Sequence, residues 1–123
     1  MNNQKTILVV EDEPTLLQNI SSILELYGFK TLQASSGIEG MKQLQTNQPD
    51  LIVCDVMMQG MNGFEMIAQV RANPAIQSIP FIFLTAWADV NDKNKGMDAG
   101  AQAYLTKPFA AKELVKTINT FIN

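Results

Sequence analysis

The stretch LIVCDVMMQGMNG, Leu51 to Gly63, runs from four apolar residues into a lone aspartate, Asp55, and then into a methionine-rich loop with two glycines. A short apolar run bounded by turn signals reads as a strand buried on both faces. An aspartate at the tip of such a strand, ahead of an open loop, is a carboxylate held where a ligand can reach it. Asn62 and Glu65 have cap-and-glutamate spacing ahead of Phe64, Ile67 and Ala68, so a helix starts as the loop ends. The stretch is one strand–loop–helix unit.

The same alternation extends both ways along the chain. Strands are predicted over Thr6–Val10, Phe29–Ala34, Leu51–Cys54, Phe81–Leu84 and Ala103–Leu105. After the first, Leu16, Leu17, Ile20, Ile23, Leu24 and Tyr27 recur at helical spacing, with Pro14 in the first turn and Gly28 as the stop. Ser36 and Glu39 have capping-box spacing ahead of Ile38, Met41 and Leu44. A polar helix is expected over Asp89–Ala99. The last, amphipathic helix covers Glu113 to Ile122, built on Leu114, Val115, Ile118, Phe121 and Ile122. Short strands alternating with helices give an α/β fold: a five-stranded parallel sheet with helices on both faces.

Composition narrows the function. The 123 residues, 46% hydrophobic, fit one domain, taken as 1–123. No apolar run approaches the length of a membrane span, and MNNQKT lacks the apolar core of a secretory signal, so no membrane association and a cytoplasmic location are expected. With one cysteine and no histidine, a structural zinc site is ruled out and any metal must take oxygen ligands. The net charge of −3 argues against direct nucleic-acid binding. Cys54 should point away from Asp55 by strand alternation and serve as core filler.

In parallel sheets ligands bind beyond the carboxyl ends of the strands. Polar residues follow four of the five predicted ends: Glu11 and Asp12, Asp55, Thr85, and Thr106 with Lys107. The second end offers only Ser35 and Ser36, as suits a strand at the sheet edge. Three carboxylates brought together repel unless a cation sits among them, and Mg²⁺, bound through carboxylates and water, is the natural candidate. A carboxylate can also attack phosphorus to give an aspartyl-phosphate, with the cation and a lysine neutralising the transferring oxygens. Asp55 is the candidate nucleophile.

VVEDEP, DLIVCDVMMQGMNGFE, FLTA and YLTKPF, in this order, resemble the motifs of the receiver domains of two-component response regulators. The resemblance covers essentially the whole chain and implies a doubly wound, flavodoxin-like (CheY-like) sheet in the order 2-1-3-4-5 with five helices. It implies a phosphorylation-dependent signalling switch that takes its phosphoryl group from a histidine kinase or a phosphotransfer domain. By that resemblance Asp55 is the phosphoacceptor, Asp12 a direct Mg²⁺ ligand, Glu11 a partner acting through metal-bound water, and Met57 the donor of a backbone carbonyl. Thr85 and Lys107 would hold phosphoryl oxygens, Tyr104 would change rotamer with Thr85, and the Lys107–Pro108 bond would be cis. Gln59 stands where proline is common, Asn62 where aspartate is common, and Ala110 where a capping Ser or Asp is frequent.

Other readings fit less well. A phosphatase using an aspartyl-phosphate carries an acid two residues after its nucleophile, where this chain has Met57. A flavin module would set its phosphate against the acidic EDEPT loop. An adaptor working unphosphorylated would have no use for the complete acid, threonine and lysine set. Gln102, Ala103 and Asn119 replace the charged residues that many transcription-factor receivers use to dimerise. Met57 and Trp87, large and apolar on either side of the expected phosphoryl group, should screen it from water and prolong its life.

Overall fold

The computed structural model describes residues 4–86, 94–95 and 97–122. Its strands are β1 (Thr6–Val10), β2 (Lys30–Ala34), β3 (Leu51–Asp55), β4 (Phe81–Thr85) and β5 (Ala103–Thr106). The helices complete among the described residues are α1 (Pro14–Leu26), α2 (Gly37–Thr46), α3 (Gly63–Ala72) and α4 (Ala111–Phe121). The helix expected over Asp89–Ala99 lies largely outside them; residues 94, 95, 97 and 98 are helical. All strand pairs are parallel and the sheet order is β2-β1-β3-β4-β5, as the resemblance implies.

Strand alternation sorts the core into two layers. Leu8, Val10, Ile52, Cys54, Phe81 and Phe83 meet Met66, Ile67 and Val70 of α3 on one face. Ile7, Val9, Leu51, Val53, Ile82 and Leu84 meet Leu17, Ile20 and Leu24 of α1 and Leu114 and Ile118 of α4 on the other. Every residue of β3 and β4 is buried, so these two strands belong to both layers.

The differences from the predicted spans have local causes. The second strand starts at Lys30, not Phe29, because the Phe29 amide donates to Leu24 O and closes the end of α1, while the Lys30 amide donates to Lys5 O. Strands β3, β4 and β5 run one residue further than predicted, onto Asp55, Thr85 and Thr106, which stay in register: Asp55 faces Leu84, and Thr85 faces Thr106. Asn62 and Glu65 form the full reciprocal cap of α3. At α2 only half forms: Ser36 accepts from the Glu39 amide, whereas the Glu39 carboxylate accepts from the Ser35 hydroxyl. Helix α4 starts at Ala111 with Ala110 as a cap that makes no side-chain hydrogen bond.

Two close approaches hold the scaffold around the strand ends. A Cβ on Gly63 would lie 2.5 Å from Asp55 O and 2.9 Å from a Phe83 ring carbon, so only glycine lets α3 start this close to β3. At the opposite end of the sheet, Arg71 spends all five of its N–H donors on neutral oxygens. Nε and Nη2 donate to Gly100 O at 3.2 and 2.9 Å, Nη1 to Gln77 O and Ile79 O at 2.9 and 2.8 Å, and Nη2 also to Gln102 Oε1 at 3.0 Å. Gln102 Oε1 in turn accepts from the Phe81 amide at 2.7 Å, so its side chain continues the β4–β5 ladder beyond the last backbone pair. Gly100 suits this site twice, having φ of +102° and a missing Cβ that would sit 3.1 Å from Arg71 Nε.

Candidate functional site

The strand register delivers four of the expected groups to one rim. Glu11 follows β1, Asp55 ends β3, Thr85 ends β4, and Lys107 follows β5; Glu11, Asp55 and Thr85 are buried and Lys107 is half-buried. The Lys107 ammonium donates to Asp55 Oδ2 at 2.6 Å and to Glu11 Oε1 at 3.1 Å. Asp12 is exposed beside them. Glu11, Asp12 and Asp55 can each bring one carboxylate oxygen within 4.8 Å of the others'.

The main chain supplies further donors. Met57 N–H reaches Asp55 Oδ1 at 3.0 Å, Gln59 N–H reaches Asp12 Oδ2 at 3.3 Å, and Glu13 N–H reaches Glu11 Oε2 at 3.1 Å. Glu13 also caps α1, its carboxylate accepting from the Thr15 and Leu16 amides. Sequence reading missed the hydrogen bonds of both Glu13 and Gln59. Glu13 carried a signal, since it sits just before a proline at a helix start; Gln59 stood out only as a departure from a common proline, and its bond to Asp12 is made by the backbone.

The electrostatics describe a cluster short of positive charge. Burial, followed by the neighbouring Asp55 carboxyl, pushes the Glu11 pKa up to about 7 from 4.5. Burial works against the charge on Lys107, yet its hydrogen bonds to Asp55 and Glu11 and their negative charge prevail, and its pKa is raised. One ammonium thus faces three carboxylates, with no thiolate or imidazole among them. An all-oxygen donor set of this kind fits a hard divalent cation such as Mg²⁺.

The remaining expected residues are placed as follows. The Lys107–Pro108 bond is cis, and the Lys107 amide donates to Thr85 O at 2.6 Å, tying the two strand ends together. Tyr104 is half-buried against Phe83, ring centroids 6.1 Å apart; Phe83 in turn packs on Phe64 at 5.3 Å. Cys54 lies in the layer facing α3, its Sγ 3.9 Å from Met66 Sδ. The Met57 side chain is 63% exposed. Trp87, expected beside it, lies outside the described residues. Next to Lys107 an apolar cleft of about 520 Å³ opens between α1 and the segment after β5, lined by Leu16, Ile20, Ile23, Pro108 and Phe109.

A sequence model of the response regulator receiver domain matches residues 7–119. Protein PilH of Pseudomonas aeruginosa is 35% identical over 116 residues, spanning 94% of this chain and 96% of that protein. Hybrid signal transduction histidine kinase D of Dictyostelium discoideum is 39% identical over 118 residues, which are 96% of this chain but 8% of the kinase. The chain spans about half the length of several transcriptional regulators that it also matches. Among solved structures, the receiver domain of sensor histidine kinase PA1611 from Pseudomonas aeruginosa, with a magnesium ion coordinated in its active site cleft, superposes with a TM-score of 0.89. It is 28% identical, covering 96% of this chain and 97% of that one.

Proposed function

Because the chain belongs to the response regulator receiver domain family, whose members are phosphorylation-dependent signalling switches, we propose that Asp55 is the residue it phosphorylates. The carrying observation is the placement of Asp55: buried at a strand tip, within reach of two further carboxylates, with the Lys107 ammonium 2.6 Å from Oδ2. An Asp55 oxygen forms the new bond to phosphorus while the bond from phosphorus to the donor breaks, and the donor leaves with that electron pair. The donor is a phosphohistidine on a histidine kinase or a phosphotransfer domain. The apolar cleft beside Lys107 offers such a partner a contact surface next to the reacting oxygen.

Glu11, Asp12, Asp55 and the Met57 carbonyl would hold Mg²⁺. When bound, the cation supplies the positive charge that lets three carboxylates and a phosphoryl group share one rim. Lys107 changes partners in the reaction, giving up part of its bond to Asp55 for the transferred oxygens. Thr85 donates its hydroxyl to a phosphoryl oxygen, and Tyr104, two residues before Thr106 in β5, responds to that movement. The domain works on itself alone, adding and losing its own phosphoryl group. The acidic balance of the chain favours a protein partner over direct contact with nucleic acid. No helix among the described residues is long and apolar enough to cross a membrane, and a cytoplasmic setting goes with a donor that draws its phosphate from ATP.

The test is mass spectrometry after incubation with acetyl phosphate and Mg²⁺. Wild type should gain one hydroxylamine-labile phosphoryl group and Asp55→Asn none. Equal labelling of the variant, or full labelling in excess chelator, refutes the assignment.

A further inference from the structure

Residues 57 to 59 lie on the site in an alternating way. Met57 N–H donates to Asp55 Oδ1 at 3.0 Å, the Met58 side chain is buried in the core, and Gln59 N–H donates to Asp12 Oδ2 at 3.3 Å. The buried Met58 anchors the loop from below, so the two flanking amides are presented upward to two different carboxylates. Asp12 is exposed, and an exposed aspartate is otherwise free to rotate about χ1. The Gln59 amide reaches it across 47 positions of sequence and occupies one carboxylate oxygen, leaving the other for a cation.

We propose that Gln59 is a positioning residue for the cation site and that it acts through its main-chain N–H. By holding Asp12 Oδ2, the amide delivers this carboxylate to Mg²⁺ already oriented. Hydrogen bonds to ligating carboxylates are a recognised source of metal affinity, and losing one typically weakens binding 10- to 100-fold. The linkage is reciprocal: a cation that fixes Asp12 also fixes the Gln59 amide, and the methionine-rich loop becomes more ordered when the site is loaded. The side chain of Gln59 plays no part. Proline is the one residue that removes the donor, having no N–H.

The inference rests on the Mg²⁺ site of the proposed function, and the experiment separates the two. Mg²⁺ affinity is measured by calorimetric titration of the unphosphorylated domain for wild type, Gln59→Ala and Gln59→Pro, with thermal unfolding run beside it. Gln59→Ala keeps the amide and should bind as wild type does, whereas Gln59→Pro should bind about tenfold more weakly. Equal affinity in all three overturns the inference, and so does an equal loss in both variants. A wild type that binds no Mg²⁺ at all overturns the reading of the site itself. Should the proline variant fold poorly, amide hydrogen exchange at Gln59 in the wild type decides instead. Exchange should slow on adding Mg²⁺; unchanged or faster exchange would mean that the cation does not fix the bond, and the inference falls.

Discussion

The Glu11 carboxyl is pushed well above the ordinary carboxylate range, and this fixes the sign of a pH effect. Its pKa in the fold, about 7, lies above the ordinary 4.5, so the fold holds that proton more tightly than the unfolded chain does. The resulting stabilisation is complete below about pH 4.5 and is lost as the pH rises through 7, an effect of order 3 kcal/mol. Metal-free protein should therefore become easier to unfold in urea across this interval. Glu11→Gln should flatten the profile, and Mg²⁺ should oppose the loss by making the ionised form welcome. Cys54 provides a second check. It is fully buried, and burial, with the charges of Asp55 and Glu11 adding to it, raises its thiol pKa. Labelling by a thiol reagent should proceed only as fast as the protein unfolds; rapid labelling of native protein would contradict its placement. At this scale the sequence was legible where a side chain does the work. Asp55 and Lys107 announce themselves by following apolar runs, and Cys54 by alternating with them. Gln59 shows only as a departure from a common proline, because its bond to Asp12 is made by an amide that every residue type except proline carries.

Among the elements, α4 is the one with a visible defect. Ala110 offers no side-chain oxygen to the first-turn amides, and Ala110→Asp or Ala110→Ser should stabilise the domain by about 1 kcal/mol, read as a shift of the urea midpoint. The residue type alone foretold this weakness. The opposite case is Arg71, which pattern reading passed over because an arginine in the last turn of an amphipathic helix looks like a solvated charge. Its partners are backbone oxygens from three places in the sequence and one amide side chain, and nothing local marks them out. Arg71→Lys retains the charge but not the fork, leaving the part-buried Ile79 and Gly100 carbonyls short of donors, and should cost about 1–3 kcal/mol. A loss below about 1 kcal/mol would mean that water replaces the guanidinium without penalty. The Phe29 and Glu39 departures share a simpler origin: each group takes a partner close in sequence, Leu24 O for the Phe29 amide and the Ser35 hydroxyl for the Glu39 carboxylate, that apolar spacing does not report.

For the molecule as a whole, the consequence of strands shared between two layers is cooperativity. Ile67→Ala in the α3 layer and Ile20→Ala in the α1 layer should each cost about 2–5 kcal/mol, and each variant should still unfold in one transition, the same by fluorescence and by circular dichroism. Two resolved transitions would mean that the layers melt independently. The α/β class and the rim location of the site were legible from alternating patterns and strand ends. The order of strands was legible only through the family resemblance of the motifs, since apolar runs say that a strand is buried and not beside which neighbour it lies; the poverty of Ser35 and Ser36 added that the second strand is peripheral. The loop bond from Gln59 to Asp12 has a consequence that belongs to inheritance rather than to mechanics. Glutamine and proline codons differ by a single base in the second position. One transversion therefore deletes the donor while leaving Glu11, Asp12, Asp55 and Lys107 intact, so that, on the Mg²⁺ site proposed above, a lineage can loosen its hold on the cation or regain it in a single mutational step.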